Sequence, residues 1–197
     1  MTFKLGLTGS IGMGKSTTAQ MFADEGCALW DADAAVHRLY SAGGDAVEPL
    51  KTLFPTAIVD DAVSRERLKA IILENPDALK MIEDTVHPLV AKDRADFLDR
   101  TDAAITVLDI PLLFETGADR QMDATLCVTV PAKMQKDRVM ARGTMSEQQF
   151  KAIRAKQLPD AEKRARADYI VVTDTLEHAR TQVQDVLQDI QNRLIHA

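Results

Sequence analysis

Residues Gly9-Ser10-Ile11-Gly12-Met13-Gly14-Lys15-Ser16 satisfy the pattern G-x-x-x-x-G-K-[ST] at every specified position. The apolar run Phe3–Leu7 precedes them, and the helix-prone run Ser16–Ala23 follows. A strand that turns through glycines into a helix is the opening unit of a parallel α/β sheet. The residue types follow from phosphate chemistry. Glycines let successive backbone N–H groups turn inward around phosphate oxygens, and the helix N-terminus adds partial positive charge to that cradle. In such a loop Gly12, Met13 and Gly14 supply amides, Lys15 reaches the β and γ oxygens, and Ser16 offers a hydroxyl to Mg²⁺. Thr17 stands where the α-phosphate would lie. The motif alone implies nucleotide binding and does not separate a kinase from a GTPase or a motor.

The rest of the chain supports this reading of the fold. Further short apolar runs, Ala28–Trp30, Ala104–Leu108, Thr125–Val130 and Tyr169–Val172, have the character of buried parallel strands. Helical patterns begin at Lys15, near Ala34 and after Pro131, and one runs from Leu176 to the end. In the last of these Leu176, Val183, Val186, Leu187, Ile190 and Leu194 recur at helical spacing. Strand–helix alternation predicts an α/β fold with a P-loop-type parallel sheet of about five strands flanked by helices.

Two stretches interrupt the alternation. Residues 45–100 are helix-rich, punctuated by Asn75-Pro76 and His87-Pro88, and too long for a connecting loop. They read as an inserted helical subdomain with Leu68, Ile71, Ile72, Leu79, Ile82, Val86, Leu89 and Val90 as its core. Residues 142–167 are polar and basic, with Arg142, Lys151, Arg154, Lys156, Lys163, Arg164 and Arg166. Phosphoryl transfer needs positive charge around the moving group and water kept away, so this stretch reads as a lid. The nucleotide-binding core then comprises 1–44, 101–141 and 168–197.

Acidic residues at strand ends are candidates for the chemistry. Asp31-Ala32-Asp33 follows the second apolar run, at the sheet edge where ligands sit in open α/β folds. One carboxylate there can orient or deprotonate an attacking hydroxyl, and one can cap the next helix. Asp33 is assigned the catalytic role. Asp109 closes the run Ile105–Leu108 in the manner of a Walker B strand, a position from which Asp can hold Mg²⁺ through water.

Composition excludes some alternatives. The 197 residues carry a formal net charge of −6, against a general nucleic-acid binder. No apolar run approaches the roughly 18 residues of a membrane span, and no secretory leader pattern is present, so the expected location is cytoplasmic. Cys27 and Cys127 read as reduced core thiols.

Several motifs together are much more specific than the P-loop. Gly6 to Ser16, Asp31-Ala32-Asp33, His87-Pro88-Leu89 and Pro111-Leu112-Leu113-Phe114-Glu115 occur in the order and spacing of one family. The chain resembles dephospho-coenzyme A kinases over about residues 4 to 190. The resemblance implies transfer of the γ-phosphoryl of ATP, with Mg²⁺, to the ribose 3′-hydroxyl of dephospho-coenzyme A. It implies that Asp33 orients or deprotonates that hydroxyl and that Lys15 and the loop amides hold ATP. It places Arg142 near the lid and nucleotide. It puts His87 on the acceptor side, in the helical domain, with Pro111, Leu112, Leu113, Phe114 and Glu115 bordering the acceptor. A shikimate-type kinase also has a P-loop followed by Asp-x-Asp, and is the alternative. The Pro111–Glu115 block and the His87-Pro88 pair argue against it. A GTP-dependent switch lacks its guanine-reading Asn-Lys-x-Asp block here.

Overall fold

Each of the five apolar runs becomes a strand of one sheet in the computed structural model, which describes residues 2–196. The strands are β1 (Phe3–Thr8), β2 (Ala28–Asp31), β5 (Ile105–Asp109), β6 (Ala124–Thr129) and β7 (Tyr169–Val172), in the order β2-β5-β1-β6-β7. β1 pairs in parallel with β5 and β6, and β6 with β7. This register sets Asp109 beside Leu7, just before the P-loop begins.

The chain forms two compact units, Met1–Leu29 with Asp102–Ala197, and Trp30–Thr101. In the first, helices α1 (Lys15–Asp24) and α9 (Leu176–His196) cover the sheet. Phe22 and Met21 of α1 and Val183, Val186, Leu187 and Ile190 of α9 pack with Leu5, Leu7, Val107, Leu126, Val128 and Val171. Leu176 and Leu194 differ from the expected buried face and are exposed. Phe22 is wholly buried, a position where truncation to Ala costs about 3–5 kcal/mol. Helix α6 (Ala132–Ala141) starts one residue after Pro131, which stands just outside the first turn rather than in it. Beyond it come α7 (Glu147–Ala155) and the short α8 (Asp160–Arg166). A reciprocal cap opens α7: Ser146 accepts from the Gln149 N–H, and Gln149 accepts from the Ser146 N–H.

The second unit holds α2 (Ala32–Tyr40), α3 (Val47–Leu53), α4 (Arg65–Glu74) and α5 (Asp77–Arg100). It has its own core of Leu39, Val47, Leu50, Val63, Leu68, Ile82 and Val86. Ile71, Ile72, Leu89 and Val90 pack against that core as expected, whereas Leu79 is exposed. Asn75-Pro76 does separate two helices, but His87-Pro88 does not: α5 runs through Pro88. An internal proline costs a helix about 3 kcal/mol. Burial of Ile82 and Val86 before it, and packing of Leu89 and Val90 after it, holds both halves in place. The unit also contains a two-stranded hairpin that no sequence pattern marks, β3 (Ile58–Val59) and β4 (Ala62–Val63). Its turn residues Asp60 and Asp61 have φ of 49° and 59°, the left-handed pair that a tight hairpin needs.

Trp30, Arg38 and Asp93 tie α5 to the start of this unit. The indole Nε1–H donates to Asp93 Oδ1 at 2.8 Å, and Arg38 Nη2 donates to the same oxygen at 2.6 Å. Burial pushes the Asp93 carboxyl up, but hydrogen bonds from Arg38 and Trp30 outweigh it and hold the group below its ordinary value of 3.8. Among the described residues no helix is long and apolar enough to cross a membrane. Cys27 and Cys127 are free thiols. Burial, reinforced by the Glu25 carboxylate, pushes Cys27 up to about 11. Burial, then Asp160, pushes Cys127 up to about 12.

Because the folded-state value of Asp93 is depressed, its stabilisation is present above pH 3.8 and is lost as pH falls through the lower folded value. Asp93→Asn is expected to cost roughly 1–2 kcal/mol at neutral pH. Urea melts from pH 7 to 3 should show the gap between variant and parent closing only at the acid end. A gap independent of pH would remove the charge from the account.

Candidate active site

The P-loop leaves β1 at Thr8 and enters α1 at Lys15. Gly12 and Gly14 have φ of 79° and 89°, which side chains rarely adopt. Close packing adds a second constraint. A Cβ on Gly9 would collide with Val128 Cγ2, and one on Gly12 would stand 2.5 Å from Val139 Cγ2. The loop is thus moulded against β6 and α6. Hydrogen bonds fix its peptides from outside. Gln135 Nε2 donates to the Ile11 carbonyl at 2.7 Å, and the Ile11 N–H donates to Gln157 Oε1 at 3.2 Å. Thr173 Oγ1 donates to the Met13 carbonyl at 2.6 Å.

The Lys15 ammonium pairs with the buried Asp109 carboxylate. The strand register carries Asp109 to this place, since it lies level with Leu7 on the neighbouring strand. Ser16 and Thr17 are at the first turn of α1, and both are exposed. Magnesium fits this donor set. The Ser16 hydroxyl and Asp109 carboxylate are hard oxygens beside the phosphate cradle, and Mg²⁺ takes few protein ligands when phosphates supply the others. Among the described residues there is no cluster of three acidic, histidine or cysteine groups of the kind that cages a metal by itself. Bound there, Mg²⁺ would neutralise phosphate charge.

A cavity of about 360 Å³ adjoins the loop. Gly14, Thr17, Thr18 and Met21 line one wall, and Arg138, Ala141, Arg142, Thr173, Thr175, Leu176 and Ala179 line the others. Arg138 is held across α6 and the turn after β7, donating to Thr173 Oγ1 at 3.2 Å and to the Thr173 carbonyl at 2.7 Å. Arg142, one turn further on at the end of α6, is exposed at the same cavity. The structure therefore joins the predicted Gly14, Thr17 and Arg142 with Arg138, Thr173, Thr175 and Leu176, which no sequence motif assigns. The exposure of Leu176 has its explanation here, as a cavity wall instead of a core residue. The signal available in the sequence is the position of Thr173-Asp174-Thr175 directly after a strand, at a sheet edge.

The Pro111–Glu115 run follows β5 and is divided in its surroundings. Leu112 is exposed and Pro111 is half-buried, whereas Leu113 and Phe114 are buried. Phe114 lies under the Arg166 guanidinium, 4.5 Å from the ring centre. Glu115 turns toward α8, where its Oε1 meets Lys163 Nζ at 2.9 Å and the Leu158 N–H at 2.9 Å. A second cavity, of about 470 Å³, lies between the loop and the basic segment, with Ser10, Met13, Gln135, Arg154, Gln157 and Asp160 among its walls.

Asp33 and His87 belong to the second unit. Asp31 is the cap of α2, accepting from the Ala34 N–H at 2.8 Å. Asp33 stands in the first turn with an exposed carboxylate. His87 is exposed in the middle of α5.

Comparison with known proteins places this arrangement. The sequence model of the family described as Dephospho-CoA kinase matches residues 3–178. A dephospho-CoA kinase of Ruegeria pomeroyi is 68% identical over 197 residues, covering 100% of both chains. A solved dephospho-CoA kinase from Campylobacter jejuni is 25% identical with a TM-score of 0.69, covering 96% of this chain and 98% of that one. A solved structure from Thermus thermophilus is 34% identical with a TM-score of 0.86, covering 95% of this chain and 97% of the other. With a family match over nearly the whole length and a relative aligned end to end, the chain belongs to the dephospho-CoA kinase family.

Proposed function

We propose that this chain transfers the γ-phosphoryl of ATP to the ribose 3′-hydroxyl of dephospho-coenzyme A, giving coenzyme A and ADP as the final step of coenzyme A synthesis. The observation that carries the reading is the family match joined to an intact phosphate cradle, whose Gly14, with Thr17 beside it, lines a cavity of about 360 Å³. Family membership sets the shikimate-type alternative aside.

Each residue has its share of the work. The amides of Gly12, Met13 and Gly14 hold the β- and γ-phosphates, and Lys15 exchanges its partner Asp109 for phosphate oxygens. Ser16, with Asp109 behind it, would hold Mg²⁺. Thr17 meets the α-phosphate. The nucleoside half of ATP lies in the 360 Å³ cavity, with Arg142 and Arg138 at its α6 wall. Asp33 orients the attacking hydroxyl. That oxygen bonds to the γ-phosphorus, the bond to the β,γ-bridging oxygen breaks, and the proton passes to Asp33 or to the transferred phosphoryl. The loose transition state of phosphoryl transfer makes orientation the larger part of this role. The capping of α2 by Asp31 supports the choice of Asp33, since it leaves the Asp33 carboxylate outside the helix hydrogen bonds. His87, the rim of Pro111 and Leu112, and the loop built on Leu113, Phe114 and Glu115 form the acceptor side. Residues 45–100, together with 30–44 and 101 that complete the compact unit Trp30–Thr101, make the acceptor domain, 142–167 the lid, and the rest of the chain the nucleotide core. The acidic balance and reduced thiols suit a cytoplasmic enzyme of small substrates, without nucleic-acid or membrane partners.

ADP release with ATP-Mg²⁺ should be stimulated strongly by dephospho-coenzyme A and not by shikimate or adenosine, with a 3′-phosphorylated product by mass. Stimulation by another acceptor alone would overturn the substrate. Asp33→Asn should lower turnover by roughly 10²–10⁴-fold while retaining ATP binding; near-normal turnover would take Asp33 out of the mechanism. Ala141→Phe, filling the cavity from the exposed end of α6, should raise the KM for ATP by roughly 10- to 100-fold and leave the KM for the acceptor unchanged. An unchanged KM for ATP would move the nucleoside elsewhere.

A further inference from the structure

Lys163 is a lysine with no exposed surface, on the short helix α8. Its ammonium donates to Glu115 Oε1 at 2.9 Å, to the Pro111 carbonyl at 2.9 Å, and toward Thr8 Oγ1 at 3.5 Å. The Thr8 hydroxyl donates in turn to the Pro111 carbonyl at 3.0 Å. Glu115 Oε1 also accepts the Leu158 N–H, while Glu115 Oε2 is buried without a hydrogen-bond partner among the described residues. Three protons of one cation therefore meet three oxygens from two separate parts of the sheet edge.

What those oxygens belong to gives the arrangement its meaning. Thr8 is the residue before Gly9, where the phosphate cradle begins. Pro111 and Glu115 form the loop after β5, whose last residue Asp109 holds Lys15. Leu158 and α8 are the root by which the 142–167 segment returns to the sheet. The residue before Leu158, Gln157, accepts the Ile11 N–H inside the P-loop. One side chain thus joins the root of the basic segment to the root of the cradle and to the loop beside it.

A buried ion pair is weak evidence of stability, because the cost of removing two charges from water offsets most of their attraction. Its more useful property is geometric. An ammonium with three directed donors and a carboxylate shared with a backbone N–H fix a register that an apolar contact leaves free. We infer that Lys163, acting through Glu115 and Pro111, is a positioning residue for phosphoryl transfer: it sets where the basic segment meets the P-loop. The inference rests on the kinase reading above. Misplacing a reacting group by about 1 Å costs roughly 10²-fold in rate, and a segment seated wrongly also admits water to the γ-phosphate.

The test is a cycle of Lys163→Met, Glu115→Gln and the double variant. Lys163→Met alone leaves Glu115 charged and unpaired, and that protein can fail to fold. The double variant is neutral and nearly isosteric. It should fold, by circular dichroism and melting, and bind a non-hydrolysable ATP analogue with parental affinity. Its kcat with dephospho-coenzyme A should fall by about 10²-fold, and the share of ATP hydrolysed without transfer should rise. Where the single variants fold, the losses should match that of the double variant and not multiply. Hydrogen exchange supplies a readout that needs no acceptor: the analogue should protect residues 142–158 in the parent and not in the double variant. A parent that shows no acceptor stimulation would sink the substrate assignment, and the exchange experiment would still decide the role of Lys163. Parental kcat and parental protection in the double variant would overturn the inference. An unfolded double variant would overturn it too, since the pair would then serve the fold. So would a fall in kcat with protection intact, which would put the effect elsewhere.

Discussion

The fit of glycines against side chains from other elements is the constraint on which the nucleotide-binding unit depends. Gly9 and Gly12 touch β6 and α6 so closely that a methyl group would collide with Val128 or Val139, and Gly14 lies against Thr173. The P-loop is usually explained from its inner surface, where amides face phosphate. Here its outer surface is equally determined. The backbone can turn its other N–H groups inward because the Ile11 and Met13 carbonyls are held from behind by Gln135 and Thr173, and the Ile11 N–H by Gln157. These three side chains come from α6, from the basic segment between α7 and α8, and from the residue after β7. The cradle is a product of the whole sheet edge, and parallel register is what brings those pieces level.

That dependence explains what is legible in the sequence and what is not. The five sheet strands are legible because each is a short, continuous apolar run, whether buried throughout like β5 and β6 or partly exposed like the edge strands β2 and β7. The P-loop is legible because its residues are consecutive. The hairpin at Ile58–Val63 is hidden: its strands have two residues each, and its turn uses Asp60-Asp61 in place of a glycine. The continuation of α5 through Pro88 is hidden for the opposite reason, since packing on both sides overrides a strong local signal. Leu176 and Leu194 follow helical spacing yet stay exposed, because periodicity marks a face without saying how far the partner surface extends.

The site shows the same division. Lys15, Ser16 and Asp109 are visible from motif and strand end, and the side chains of Lys15 and Asp109 meet as a pair. The ambiguity between Asp31 and Asp33 lies beyond spacing, because both residues suit a cap and both suit a sheet edge; the Asp31–Ala34 hydrogen bond settles which one caps. Arg138 and the Thr173–Leu176 wall are not found by motif, since they come from segments far apart in the chain and carry no pattern of their own. Lys163 appears in the sequence only as one more basic residue in a basic stretch. Nothing in a linear reading distinguishes a lysine without exposed surface from the solvated lysines around it.

The two cysteines bear on a matter separate from folding. Coenzyme A and its precursor end in a thiol, and where an oxidant has coupled two such thiols the resulting disulfide is a reagent for exchange with a protein cysteine. That exchange needs a thiolate. With Cys127 buried and Cys27 raised to about 11, only about one Cys27 in ten thousand would be ionised near neutral pH. Attack by either cysteine on the oxidised, disulfide form of the substrate or product is thereby slowed, which disfavours mixed disulfides with them.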